Sequence, residues 1–335
     1  MGRPIIVQIA TVGCSLRNFL KGYASFLRHE GFEVHGISSP DGDLAQFAAE
    51  EGAAVHGIEM RRSIAPLRDV LALAQMVRTL RQIRPVLVHS HTPKGGLLGM
   101  LGALLARVPV RVYTIHGLRM ATATGFKRRL LKWAETISCW CAHQVLSVSH
   151  SIRDEVLREG LCPPGKIRVL GQGSIGGIDA GNDFDPKRFA GQRHVVRRQH
   201  EIPDDAMAIG FVGRVVRDKG MVELAAAWRT LREQFPSLHL ILVGPFEPQD
   251  PVPADVEDLF QADPRIHCVG NVQRTAPYYA AMEVCVLPSY REGLPNVLLE
   301  AAAMEVPVVA TEIPGCVDAV QKDVTGLLVP PRDAA

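Results

Sequence analysis

Two carboxylates, Glu292 and Glu300, lie in the stretch Pro288-Ser-Tyr-Arg-Glu-Gly-Leu-Pro-Asn-Val-Leu-Leu-Glu-Ala-Ala-Ala-Met304. A predicted strand ends at Leu287. A loop bearing Gly293 and Leu294 follows, and Pro295 stands where proline favours a helix start. The amides of Asn296 and Val297 would then point out of the helix N-terminus, an end that attracts a phosphate or an electron-rich sugar oxygen. Glu300 falls about a turn and a half into that helix, among Val297, Leu298, Leu299 and Ala301 to Met304. A carboxylate in such company is costly to bury unless it finds hydrogen-bond donors. Ribose hydroxyls would serve; the plainer alternative is a solvent-facing stripe.

A second stretch, Phe211-Val-Gly-Arg-Val-Val-Arg-Asp-Lys-Gly-Met221, ends a strand at Gly213 and places Arg214 and Lys219 in the loop before the next helix. Two cations there suit a diphosphate. Standing alone they would read as solvated loop charges.

Other signals are weaker. Residues 171–176 spell a literal GxGxxG after a predicted strand, but Gly177-Ile-Asp-Ala-Gly-Asn182 is not a helix, so a hinge is the better reading. Asp41-Gly-Asp43 could hold a metal beside a diphosphate, yet it follows Pro40 and reads as a turn. His89, His91 and His116 fall at predicted strand ends without a carboxylate or cysteine at useful spacing, so no metal site is expected. His116 closes an apolar strand just before Gly117 and is the one candidate among them for chemistry. Phe126-Lys-Arg-Arg-Leu-Leu-Lys-Trp133 is a basic amphipathic segment, either a solvated helix face or a contact for an anionic membrane.

These residues need a scaffold. Apolar runs predict strands at 5–10, 34–38, 86–89, 110–116, 145–148 and 167–170, with helices over 19–30, 67–83, 97–107 and 127–142. Residues 171–185 are rich in Gly, Asp and Asn and read as a linker. The alternation then restarts, with strands at 208–212, 239–243, 284–287 and 308–311 and helices at 221–235 and 296–304. Short buried strands alternating with helices imply parallel sheets covered on both faces. The expected architecture is α/β, with two doubly wound, Rossmann-like domains over 1–170 and 186–335 facing a central cleft. In such sheets ligands sit beyond the carboxyl ends of the strands.

Composition agrees with a globular protein of about two domains: 335 residues, 47% hydrophobic and 21% charged. No apolar run approaches the roughly 18–20 residues that span a bilayer. The N-terminus lacks a signal-peptide core. Seven cysteines without a CxxC suggest reduced, buried thiols and a cytoplasmic setting. Charge is uneven. Residues 1–170 hold 22 Lys and Arg against 12 Asp and Glu, whereas residues 171–335 hold 15 against 23. The first half should therefore face something anionic.

With Gly213-Arg214, Lys219-Gly220, the pair Glu292 and Glu300, Pro307-Val-Val-Ala-Thr and Pro314-Gly-Cys-Val-Asp-Ala, the chain resembles retaining glycosyltransferase family 4, of GT-B architecture. His91-Thr-Pro-Lys-Gly-Gly-Leu-Leu-Gly and Thr114-Ile-His-Gly117 are similar to bacterial members that build capsule, exopolysaccharide or lipid-linked oligosaccharides. The resemblance covers nearly the whole chain. It implies a nucleotide-sugar donor, UDP by family habit, bound by the second domain, and an acceptor bound by the first. Arg214 and Lys219 would neutralise the diphosphate, Glu300 would hold the ribose, and Glu292 would contact the donor sugar. The 293–297 amides would line that sugar and the β-phosphate. Gly13 would let the backbone approach the phosphates, and His116 would sit near the donor sugar. Arg17, Asn18, Lys94 and Arg119 are the candidates for holding the acceptor. Retention of configuration and independence from metal and cofactor are implied as well. Family members continue with further helices beyond the stretch that ends here at Pro330-Pro-Arg-Asp-Ala-Ala335.

A polyprenyl-diphosphate-linked sugar as acceptor, with peripheral attachment at an anionic membrane surface, fits the basic first half. A sugar-nucleotide epimerase or a phosphorylase of the same fold is the nearest rival. Nucleic acid is not expected as a partner, because no aromatic stacking platform accompanies the charge.

Overall fold

The computed structural model describes residues 2–174 and 176–335. The chain divides between Gly176 and Gly177 into two compact units.

The first unit holds seven strands: β1 (Ile5–Ile9), β2 (Glu33–Ser38), β3 (Ala54–Gly57), β4 (Leu87–His91), β5 (Val110–Ile115), β6 (Gln144–Ser147) and β7 (Ile167–Val169). They form one sheet in the order β3-β2-β1-β4-β5-β6-β7. Every pairing is parallel. The second unit holds β8 (Met207–Val212), β9 (Leu238–Val243), β10 (Ile266–Gly270), β11 (Val284–Leu287), β12 (Val308–Thr311) and β13 (Gly326–Val329), in the order β10-β9-β8-β11-β12-β13. This sheet is parallel too. Both sheets are doubly wound. Their strand order reverses between β1 and β4 and between β8 and β11, the topological switch points where such sheets bind ligands.

Burial explains the elements. All six residues of β9 are buried, as a central strand covered on both faces requires. Trp228, from the helix Met221–Gln234, is fully buried and its indole N–H reaches Asp263 Oδ2 at 2.9 Å. A side chain of that kind contributes roughly 1.5–3 kcal/mol by burial. Arg197 is also fully buried; it pairs with Glu283 and donates to the carbonyls of Ala281, Pro203 and Ala206.

Several elements depart from the sequence reading. The helix expected over 19–30 is two helices, Gly13–Leu20 and Tyr23–His29. Gly22 between them takes φ +76°, and Glu51 accepts from the amides of Gly22 and Ser25, capping the second helix. The helices Gly42–Glu51, His150–Arg158, Ala254–Ala262 and Ala276–Ala281, with β3, β10 and β13, lie where no element was expected. The GxGxxG segment forms turns in its described residues, Ile175 lying outside them, and the next helix starts only at Pro186. The linker expected over 171–185 contains no helix or strand among its described residues. Asp41 is the N-cap of Gly42–Glu51, accepting from Leu44 N at 2.8 Å, and Asp43 pairs with Arg17. Both aspartates of the DxD thus have structural partners.

Candidate donor and catalytic residues

In the second unit the loops after β8, β9 and β11 are tied together. Gly213, at φ +148°, turns the chain out of β8. Arg214 then pairs with Glu247 at 2.8 Å, with its side chain 48% exposed. Asp218 accepts both Nε and Nη2 of Arg291, at 3.0 and 2.7 Å, and its own amide donates to Asp250 Oδ2. Lys219 reaches Glu292 Oε1 at 2.5 Å. Gly220 has φ +73°, and a Cβ there would strike the carbonyl of Pro288, so glycine is demanded both by the turn and by the passing β11 loop. The sequence-predicted Arg214, Lys219, Gly213, Glu292 and Gly293 therefore lie on neighbouring loops at one carboxyl edge. Glu247, Asp250, Asp218 and Arg291 brace them and were missed, since charged loop residues carry no spacing signal.

The helix Asn296–Ala303 begins directly after Pro295, whose backbone is extended and which supplies no side-chain cap. Asn296 is exposed, Leu294 and Val297 are half-buried, and Gly293 and Pro295 are buried. Glu300 does not sit on a solvent stripe. Its Oε2 accepts from Tyr279 Oη at 2.9 Å and from Thr275 Oγ1 at 3.1 Å. Burial raises its pKa while these two hydrogen bonds oppose the rise. The Tyr279 hydroxyl also lies 3.1 Å from the carbonyl of Val297, so its one proton is shared between the two acceptors and ties the helix start to the helix Ala276–Ala281. Protein hydroxyls thus hold one carboxylate oxygen; among the described residues Oε1 takes no hydrogen bond. Tyr279 and Thr275 escaped the sequence reading because their helix did.

In the first unit three imidazoles gather at the ends of β4 and β5. His91 is fully buried; its Nε2 lies 3.0 Å from Gln8 Oε1 and its Nδ1 3.1 Å from His116 Nε2. His89 Nε2 meets Thr114 Oγ1 at 2.7 Å. Desolvation, and for His91 and His116 the neighbouring imidazoles, keep all three neutral: the pKa falls to about 4 for His89, to about 3 for His116 and well below the usual range for His91. Both nitrogens of His91 are spent on protein partners. Among the described residues no cluster of His, Cys, Asp or Glu is arranged to hold a metal ion.

The other first-unit candidates are dispersed. Gly13 begins a helix; its amide donates to Asp41 Oδ2 at 3.1 Å, and a Cβ there would strike Asp41 and Leu44. Close packing of its own unit accounts for this glycine. Arg17 pairs with Asp43 and Glu50, and Lys94 with Asp69 at 2.7 Å. Asn18 and Arg119 are exposed. Among the cysteines, Cys139, Cys141, Cys162, Cys285 and Cys316 are buried, Cys14 is half-buried and Cys268 is exposed. No helix among the described residues is long and apolar enough to cross a membrane.

Two Rossmann-like sheets, with cation-bearing loops and an uncapped helix start at the switch point of the second, define the GT-B class. Residues 17–173 match the family described as glycosyl transferase 4-like domain, and residues 206–335 the one described as glycosyl transferases group 1. The capsular polysaccharide biosynthesis glycosyltransferase CapM of Staphylococcus aureus is 32% identical over 328 residues, covering 98% of this chain and 84% of that protein. The UDP-Gal:alpha-D-GlcNAc-diphosphoundecaprenol alpha-1,3-galactosyltransferase of Escherichia coli is 24% identical, covering 92% and 78%. Anabaena Alr3699/HepE, solved with UDP and glucose, superposes with a TM-score of 0.75 at 18% identity, over 99% of this chain and 87% of that one. The chain belongs to this glycosyltransferase family and is a glycosyltransferase.

Proposed function

We propose that the protein transfers a sugar from a UDP-sugar to a lipid-linked saccharide during synthesis of a capsular or related envelope polysaccharide, with retention of configuration and without a metal or cofactor. The observation that carries this is the joining of Arg214, Lys219 and Glu292 on adjacent loops beside the uncapped start of the helix Asn296–Ala303. Breaking the bond between the anomeric carbon and the phosphate oxygen puts negative charge on the leaving diphosphate. Preorganised cations and helix amides aimed at that charge stabilise the transition state directly. The electron pair leaves with the phosphate oxygen, and the acceptor hydroxyl passes its proton to that phosphate as the new glycosidic bond forms on the same face.

On this reading Glu300 holds the ribose through Oε1, and His116 serves the sugar being transferred. The choice of UDP draws support from the galactosyltransferase and from HepE, which was also solved with UDP-glucose. The lipid-linked acceptor draws support from the diphosphoundecaprenol substrate named for the galactosyltransferase, and the capsular setting from CapM. The test is a transfer assay with UDP-glucose, UDP-galactose and UDP-GlcNAc, a short-chain polyprenyl-diphosphate sugar and EDTA, with the product's anomeric configuration read by NMR. An α-linked product from an α-donor, undiminished by EDTA, is expected. An inverted product, or activity lost with EDTA and restored by manganese, would overturn the mechanism.

A further inference from the structure

We propose that Gln8 and His91 are positioning residues that hold His116 as the tautomer protonated on Nε2, leaving its Nδ1 lone pair to accept from a hydroxyl of the transferred sugar. The proposal rests on the reading that His116 serves that sugar.

The three residues run across the middle of the first sheet. Gln8 lies in β1, His91 ends β4 and His116 follows β5, and these strands are sheet neighbours. Gln8 and His91 have no exposed surface. The amide oxygen of Gln8 faces His91 Nε2 at 3.0 Å and can only accept, so His91 Nε2 carries the proton. A neutral imidazole has one N–H, so His91 Nδ1 must accept. Its partner at 3.1 Å, His116 Nε2, is then the donor. Desolvation lowers the pKa of both His91 and His116, so each ring carries a single proton at neutral pH. His89 is outside the chain, engaged with Thr114. What is left on His116 is Nδ1, an acceptor with no protein partner among the described residues. Phe19 fixes the ring plane, stacked at 4.0 Å between centroids and 10° between planes.

Two features show that this arrangement is maintained at a cost. Gln8 Nε2 is buried without a hydrogen-bond partner, a desolvation cost that an apolar residue in β1 would avoid. Thr92, directly after His91, is a β-branched residue at φ +64° and ψ 152°, a region that glycine alone visits readily. Thr11 holds it there, with the two hydroxyls 2.7 Å apart and the Thr11 amide donating to Thr92 Oγ1 at 3.1 Å. Strain of this kind persists where neighbouring groups over-determine the position of a functional side chain.

The test is the imidazole nitrogen spectrum of the full-length chain labelled with ¹⁵N-histidine, with His116 assigned by the signals lost in His116→Asn. At pH 7 the wild type should show a protonated Nε2 and an unprotonated Nδ1 on His116. In Gln8→Met the His116 signals should move toward a mixture of tautomers. Its kcat should fall about ten- to hundredfold, the scale of losing an orienting partner, with UDP affinity unchanged. A proton on Nδ1 in the wild type, which is the reversed polarity of the chain, would overturn the proposal, as would wild-type tautomer and kcat in Gln8→Met. The wild-type spectrum decides the first point even if the variant fails to fold. Full turnover in His116→Ala would remove the role of His116 itself, whereas an inactive His116→Ala with the wrong tautomer defeats the positioning alone.

Discussion

Lys219 Nζ lies 2.5 Å from Glu292 Oε1, with the two side chains 19% and 11% exposed. The cation and the carboxylate joining the loops after β8 and β11 are thus each other's counter-charge. Arg214 is held in the same way by Glu247, but in the open. If both cations meet the diphosphate as it departs, Lys219→Ala and Arg214→Ala should each lower kcat/KM by about 2.7–4 kcal/mol of transition-state stabilisation, the scale of a lost oxyanion donor. Only Lys219→Ala should also lower the melting temperature, because it strands Glu292 in a poorly hydrated place. Steady-state kinetics and thermal melts on the two variants separate the effects; wild-type turnover in both would remove the diphosphate assignment.

Glu300 has one oxygen anchored by Tyr279 and Thr275 and the other, among the described residues, without a protein partner. If Oε1 takes a ribose hydroxyl, the protein should bind UDP more tightly than dUDP, by about the 1.5–3 kcal/mol of a hydrogen bond to a charged group. Calorimetry on Glu300→Ala should show the two nucleotides bound alike. Tyr279→Phe should weaken UDP binding less, since it frees the carboxylate without removing it. A variant that still discriminates between them would show that another group reads the ribose.

The central strands of both sheets were legible because they are short apolar runs, and a run buried on two faces announces itself without alternation; the partly buried edge strands β3, β10 and β13 were not. The Glu292–Glu300 stretch was legible because a strand end, Pro295 and an apolar helix follow in order. What escaped was set by partners distant in sequence. Tyr279 meets Glu300 across 21 positions and Arg291 meets Asp218 across 73. Gln8 reads as one polar residue in an apolar strand until His91, 83 positions away, gives it a purpose. Gly13 looked like a phosphate turn, and only the fold shows that Asp41 occupies its flank.

Glu135 gives a pH signature independent of catalysis. It is buried on the helix Gly125–Cys141 and accepts from Tyr113 Oη at 2.6 Å. Desolvation lifts its pKa from 4.5 to about 7. The native state therefore holds this proton more tightly than the unfolded chain. The group's stabilising contribution is complete below about 4.5 and is lost as pH rises through about 7. The full swing is on the order of 3 kcal/mol. Glu135→Gln keeps an oxygen for Tyr113 and cannot ionise. It should match the wild type in urea denaturation near pH 4 and exceed it by up to that amount at pH 8. A pH-independent difference between the two proteins would refute the buried titration.

The helix Gly125–Cys141 also carries the membrane proposal, in a form the sequence only partly suggested. Phe126, Trp133 and Trp140 are 80%, 63% and 71% exposed. They recur every seventh residue, so they fall on one outward face, with the half-buried Leu130 and Ile137 between them. The basic residues divide in two. Arg128 and Lys132 are both spent on Glu159, whereas Lys127 and Arg129 are exposed on either side of the aromatic row. An aromatic row flanked by cations suits the headgroup region of an anionic bilayer, where each basic residue contributes about 1 kcal/mol. Binding to vesicles should rise with the anionic-lipid fraction and fall with salt, since exposed charges are screened beyond about 8–10 Å at 0.1–0.15 M. Lys127→Gln with Arg129→Gln should weaken binding more than Arg128→Gln with Lys132→Gln, because the second pair is already neutralised. Trp133→Ser with Trp140→Ser should weaken it at every salt concentration, and none of these changes should alter UDP affinity. Sedimentation with phosphatidylglycerol-containing vesicles measures all three pairs. If the wild type stays in the supernatant at low salt, the helix faces no membrane and the acceptor must come to the enzyme in solution.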